Sequence, residues 1–176
     1  NASVSNKVSN VGVVSSDTAG VGTARGNLAG ASYGNTKAIV GYGATPGSVS
    51  VSNLISDTGT VATDTPGVGT ARNSLAAAGY GIDKALFGYG ASGAPYFSVT
   101  NKVSNTGVVA ADTPGVGTAR SNLAGAIYGQ DKAIFGYGAT PYISATNKVS
   151  NTGVVSADTP GVGLARAQLM AAGYSS

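Results

Sequence analysis

One stretch of about 47 residues recurs along this chain, and that repetition limits the fold more than any other feature. The motif D-T-x-G-V-G-x-A-R occurs at Asp17–Arg25, Asp64–Arg72, Asp112–Arg120 and Asp158–Arg166, so its arginines are spaced by 47, 48 and 46 residues. A second motif, K-A-[IL]-[FV]-G-Y-G, occurs at Lys37–Gly43, Lys84–Gly90 and Lys132–Gly138. Thr100–Val109 is identical to Thr146–Val155, a mark of duplication. Repeats of this length bury a core by stacking on their neighbours, so the chain reads as one repeat domain. Its units run approximately 1–43, 44–90, 91–138 and 139–176, the last incomplete.

Length varies at one place only. Asn6 to Gly43, Asn53 to Gly90 and Asn101 to Gly138 each span 37 residues, whereas the step from each Gly to the next Asn is 10, 11 or 9. The elastic loops are Ala44–Ser48, Ala91–Phe97 and Ala139–Tyr142. In a repeat array such loops gather on one face, often the binding face. The array also begins and ends mid-unit, so three expectations stand side by side: a neighbouring chain completes the broken repeat, the sequence is a piece of a longer one, or the last unit is incomplete.

Each unit divides into four short segments between turn signals. In the third unit these are Ser121–Tyr128, Lys132–Tyr137, Ile143–Ser150 and Val154–Ala157. Alternation puts Ala133, Phe135 and Tyr137 on one face and Ile134 and Gly136 on the other. Apolar residues on both faces predict a strand buried on both sides. Four strands in this length is the size of a propeller blade. The expected fold is therefore all-β, a β-propeller of about four blades. The alternative is a β-rich solenoid with one short helix per repeat, because Ala71–Ala78 and Ala165–Ala172 have good helix propensity.

Composition bears on function. His, Cys, Trp and Glu are absent and charged residues make up 10%. Without His or Cys the common metal ligands and nucleophile–base pairs are missing, so the chain reads as no enzyme, with no metal and no cofactor. The net charge of +3 is spread without a basic run, which argues against nucleic acid. No apolar stretch approaches a membrane span, so no membrane insertion is expected.

In each D-T-x-G-V-G-x-A-R the Asp and Arg lie eight residues apart: Asp17/Arg25, Asp64/Arg72, Asp112/Arg120 and Asp158/Arg166. A planar guanidinium matches a carboxylate, so each is expected to pair within its own motif and pin that loop. The G-V-G run lacks the pattern of a phosphate-binding loop and reads as tight turns. Asp83 and Asp131 read as turn formers. Asp57 stands where other units have Asn10, Asn105 and Asn151, the single feature favouring a glycan hydrolase. Tyr96, Phe97 and Tyr142 occur only in the variable loops, where aromatics stack on a sugar or on a partner.

The run Arg120–Gly138 resembles a kelch repeat. Arg120 matches the Arg that opens the first strand, and Gly136 and Gly138 approximate the paired glycines, while Val108 and Val109 stand in the region of the usual fourth-strand Trp. The whole repeat is also similar to those of kelch-like structural proteins of marine tailed bacteriophages. That resemblance implies a virion component: a tail fibre, spike or capsid decoration, located in the virion or outside the cell. Its partners would be other virion proteins, further copies of itself, or a host-surface glycan. A carbohydrate-binding adhesin or lectin-like module is the alternative expectation.

Overall fold

The structure is a computed structural model that describes residues 2–139 and 141–173. Those residues form eleven short β-strands and no helix. Three antiparallel three-stranded sheets carry the fold. The first contains β1 (Ala29–Tyr33), β2 (Lys37–Gly41) and β5 (Ser52–Ile55). The second contains β6 (Ala76–Tyr80), β7 (Lys84–Gly88) and β8 (Thr100–Val103). The third contains β9 (Ala124–Tyr128), β10 (Lys132–Gly136) and β11 (Thr146–Val149). The K-A-[IL]-[FV]-G strand is central in every sheet. A two-residue ladder of β3 (Ala44–Thr45) and β4 (Gly47–Ser48) closes the first variable loop.

The expected fourth segment is reduced to isolated bridges, Val149↔Val155 in the third unit and Val103↔Val109 in the second. The sheets also straddle the boundaries drawn from sequence, since β2 and β5 fall on opposite sides of residue 43/44. A unit counted from one Arg to the next keeps each sheet whole.

The helical alternative is overturned. Ala76–Tyr80 is a strand paired with Lys84–Gly88, although its A-A-A run favours a helix. Three small side chains there let two sheets come close. β6 packs against β1 on one side and β9 on the other. A Cβ built at Gly125 would lie 2.7 Å from the Ala77 carbonyl oxygen. A helix presents no such flat, two-sided surface.

Consecutive sheets are joined by backbone hydrogen bonds that recur once per unit. Ser74 N–H donates to Asn27 O, Asn122 N–H to Ser74 O, and Gln168 N–H to Asn122 O, at 2.8–2.9 Å. All four residues have positive φ, between 53° and 58°. Gly34 N–H donates to Asp83 O, and Gly81 N–H to Asp131 O. These links stack the three sheets in sequence order into an array that is not closed. The four-bladed ring is therefore not what the described residues form.

The core lies between sheets. Phe87, Leu86 and Ala85 are all 0% exposed, so the middle sheet's central strand is buried on both faces, whereas β2 and β10 bury one face, through Ile39 and through Ala133 and Phe135. Phe87 packs against Tyr33, Ile39 and Tyr42 of the preceding unit, and Phe135 against Ala76, Ala78 and Tyr89.

One turn carries strain. Ile82 has φ +73° and is 77% exposed, where the equivalent residues are Asn35 and Gln130. A β-branched residue in this conformation costs about 1–2 kcal/mol, and Asn tolerates it best. Ile82→Asn is expected to raise stability by about 1 kcal/mol, read from the urea midpoint.

Candidate functional site

The repeated polar residues meet in a network that also links unit to unit. Arg72 is fully buried. Its Nε donates to Tyr89 O at 2.7 Å, Nη1 to Thr70 O at 3.0 Å, and Nη2 to Asn101 Oδ1 at 2.7 Å. Asn101 Nδ2 then donates to Asp112 Oδ1 at 2.8 Å and to Ala110 O at 3.0 Å. Asp112 Oδ2 accepts from the Thr70 hydroxyl at 2.6 Å and from its N–H at 3.0 Å. The same bonds join Arg25, Asn53, Asp64 and Thr23. They recur with Arg120, Asn147, Asp158 and Thr118. No buried side-chain nitrogen or oxygen among the described residues lacks a partner.

This geometry corrects the expected pairing. Arg25 faces Asp64 at 3.6 Å, Arg72 faces Asp112 at 4.0 Å, and Arg120 faces Asp158 at 3.9 Å. Each Arg meets the Asp of the following motif, not the one eight residues before it. Asp17 instead accepts from Asn6 Nδ2 at 2.8 Å. Arg166 is exposed, and its Nη1 donates to Leu164 O at 3.3 Å. The reason is topological. The chain crosses a whole sheet between an Arg and its Asp, and sheet closure brings those two ends together.

The arginines also bridge units. Arg72 lies over the ring of Tyr42, Arg120 over Tyr89, and Arg166 over Tyr137, each 4.2 Å from the centroid. Each of these tyrosines thus takes an Arg from its own unit at its carbonyl and one from the next unit on its ring. Edge-on contacts of Tyr42 with Phe87 and Tyr89 with Phe135, at 5.1 and 5.4 Å, complete the seam. Tyr42, Tyr89 and Tyr137 have φ of 60–63°, an unusual conformation for a bulky residue. Their hydroxyls donate to Val68, Val116 and Val162 carbonyls. Burial, opposed by the charge of Arg120, pushes the Tyr89 hydroxyl up to about 12.

The three inter-motif aspartates are held below the usual carboxylate range. At Asp64 the Thr23 hydroxyl bond is the main cause. At Asp112 and Asp158 burial is the largest influence and works against the charge, but bonds from Thr70 and Asn101, or Thr118 and Asn147, outweigh it. A depressed folded pKa stabilises the fold above the unfolded value near 3.9 and loses that contribution as pH falls through the folded value. Urea midpoints are therefore expected to fall below about pH 4, less steeply in Asp112→Asn. An identical slope in that variant would contradict the assignment.

The second Gly of G-V-G explains that motif. Gly69 has φ +76°, and a Cβ there would lie 2.2 Å from Asp112 Oδ1. The loop wraps its own protein's carboxylate.

Asp57 has a local counterpart. In the other units Asp83 and Asp131 are held below the usual carboxylate range, chiefly by Lys84 and Lys132, with Asn105 and Asn151 adding to the effect. The first unit holds Thr36 and Asp57 at those positions, so one carboxylate per turn is kept with the positions exchanged. Asp83 and Asp131 lie in turns, paired with Lys84 and Lys132 at 2.7 and 2.8 Å. No group of three or more acidic, His or Cys side chains among the described residues is placed to hold a metal. Among the described residues no helix is long and apolar enough to cross a membrane.

The variable-loop aromatics lie apart from the network. Tyr142 is 68% exposed, while Tyr96 and Phe97 are half-buried. Phe97 N–H donates to Gly90 O, and Phe97 O accepts from Arg120 N–H. The ring pairs among the described residues involve none of the three. Thr140 of the third loop lies outside the described residues, as do Asn1 and residues 174–176. Compared with known proteins, the chain matches no family model and no curated protein.

Proposed function

We propose that this chain is a non-enzymatic structural array of a virion, in a tail fibre, spike or capsid decoration, whose repeats hold variable loops at set spacing. The observation that carries the reading is the identical use of Arg, Asn, Asp and Thr in each of three units. These residues bind one another and hold neighbouring units, leaving the loops as the main unit-to-unit difference. An active site has no need to recur in every unit. The kelch-like wording of the repeat supports the virion location, and we take the sheets as kelch-type blades set in an open array. Labelling of purified particles with an antibody to the chain, viewed by electron microscopy, tests this. Absence of the chain from every virion or surface assembly would sink it.

A second reading, an adhesin for a surface glycan, is favoured by the exposure of Tyr142 in a variable loop. On a glycan array the chain would then give a signal that Tyr142→Ala lowers at least about tenfold. Equal signal from that variant removes Tyr142 from the reading.

A further inference from the structure

Two residues after each motif Arg stands a polar residue in positive φ, followed by Leu: Asn27, Ser74, Asn122 and Gln168. The backbone bonds from Ser74 to Asn27, from Asn122 to Ser74 and from Gln168 to Asn122 stack these four in one row along the array. Backbones bonded in this way lie about 5 Å apart, the spacing of paired strands.

The four polar residues and the Leu after each line a groove of about 370 Å³ that crosses every unit. That volume lies in the range of ligand sites, about 300–1,000 Å³. Ser74 and Asn122 have a unit on either side, so the groove is built by the repeat itself. Leu75 and Leu123 are buried in the two interfaces between sheets, which anchors the row. The polar groups are lightly engaged. Asn122 is half-buried, and its Nδ2 reaches Ser121 Oγ at 3.3 Å, leaving Oδ1 to accept. Ser74 Oγ donates to Asn73 Oδ1 at 2.9 Å and keeps its lone pairs. None of the lining side chains is charged.

We propose that this groove binds a neutral, ribbon-shaped polysaccharide of the cellulose or chitin type, laid along the row with one sugar to each unit. Chemistry and spacing select it together. Amides and a hydroxyl both donate and accept, as sugar hydroxyls require. A nucleic acid needs Lys or Arg at its phosphates, and the groove has neither. An extended peptide advances about 3.3 Å per residue and falls out of step with the row. A ribbon of β-linked pyranoses advances one sugar over nearly the spacing of the row, so successive sugars meet successive units. The site is the row and not the loop aromatics, so it stands whether or not Tyr142 touches a glycan or the assembly is a virion.

Cellohexaose and chitohexaose, titrated into the full chain by calorimetry, test it. Saturable binding of at least one is expected, at least about tenfold tighter than for maltohexaose, whose helical links leave that spacing. Asn122→Gly and Gln168→Gly keep the positive φ without strain and remove an amide. Each is expected to weaken binding about threefold to tenfold, the loss of one hydrogen bond, with the melting temperature close to that of the parent. Tyr142→Ala is expected to bind as the parent does. Absence of binding by both ribbon sugars overturns the proposal, and so does equal affinity for maltohexaose. Binding lost in Tyr142→Ala but unchanged in the two glycine variants assigns the glycan to the loop and overturns the groove. The comparison of sugars needs no variant, so it decides even if a variant fails to fold.

Discussion

Replacing Arg72 by alanine is expected to cost about 3–5 kcal/mol of stability, the range for breaking a buried charged network. The substitution strands three acceptors at once, Tyr89 O, Thr70 O and Asn101 Oδ1. It also uncovers the Tyr42 ring, and a desolvated cation–ring contact contributes about 2 kcal/mol. Burial pulls the Arg72 guanidinium below its ordinary value, yet a group with so high a starting point stays charged. Arg72→Lys keeps the charge but loses the planar fork, so it is expected to destabilise as well. Arg166 supplies the control. It covers Tyr137 but is exposed, and Arg166→Ala is expected to cost no more than about 1 kcal/mol. Urea unfolding of the three variants separates these outcomes. Equal small losses at Arg72 and Arg166 would remove the network as the source of stability.

Phe135→Ala is the second large effect, expected at about 3–5 kcal/mol. The ring is 0% exposed and fills the space between two sheets against Gly88 and Tyr89. Little around it can collapse, because the facing surface joins the Gly88 backbone and the short Ala76 and Ala78 to Leu86 and Tyr89, which are themselves fully buried. Gly88→Ala approaches the same contact from the other side, since the added methyl would lie 2.9 Å from the ring. Overpacking of this kind costs about 1–3 kcal/mol. Combining the two substitutions should recover part of the loss, because the methyl then enters the space the ring has left. In the first unit Val40 occupies the equivalent place and is only half-buried, so Val40→Ala should cost about 1–2 kcal/mol at most. Thermal melts of the set test the ordering.

Much of the fold is legible in the sequence. Alternation in Lys132–Gly136 marks a strand, and the structure places it in the middle of its sheet, but only the Ala133 and Phe135 face is fully buried; the expected burial of both faces is met by Lys84–Gly88. The A-A-A-G-Y strand is less legible, because alanine's helix preference points elsewhere and the need for thin side chains between sheets overrides it. The Arg–Asp partners are hidden by the repetition itself. Every interior Arg has an Asp eight residues before it and another after a full sheet, and only sheet closure decides between them. Asn53, Asn101 and Asn147, the hinge of the network, carry no chemistry that marks them in the sequence. The signal was their recurrence without variation in every unit while residues around them change. Nothing in composition foretells the positive φ of Tyr42, Tyr89 and Tyr137, which follows from the two arginines that each one serves.

Cross-unit stacking of Arg on Tyr, the contact that locks one repeat to the next, is tested most directly by a double-mutant cycle. Arg120→Ala, Tyr89→Leu and the pair are compared by urea unfolding. Arg120 lies over the Tyr89 ring at 4.2 Å, and a coupling of about 1–2 kcal/mol is expected for this desolvated contact. Losses that add within about 0.3–0.5 kcal/mol would show the two side chains acting independently and would contradict a lock between units.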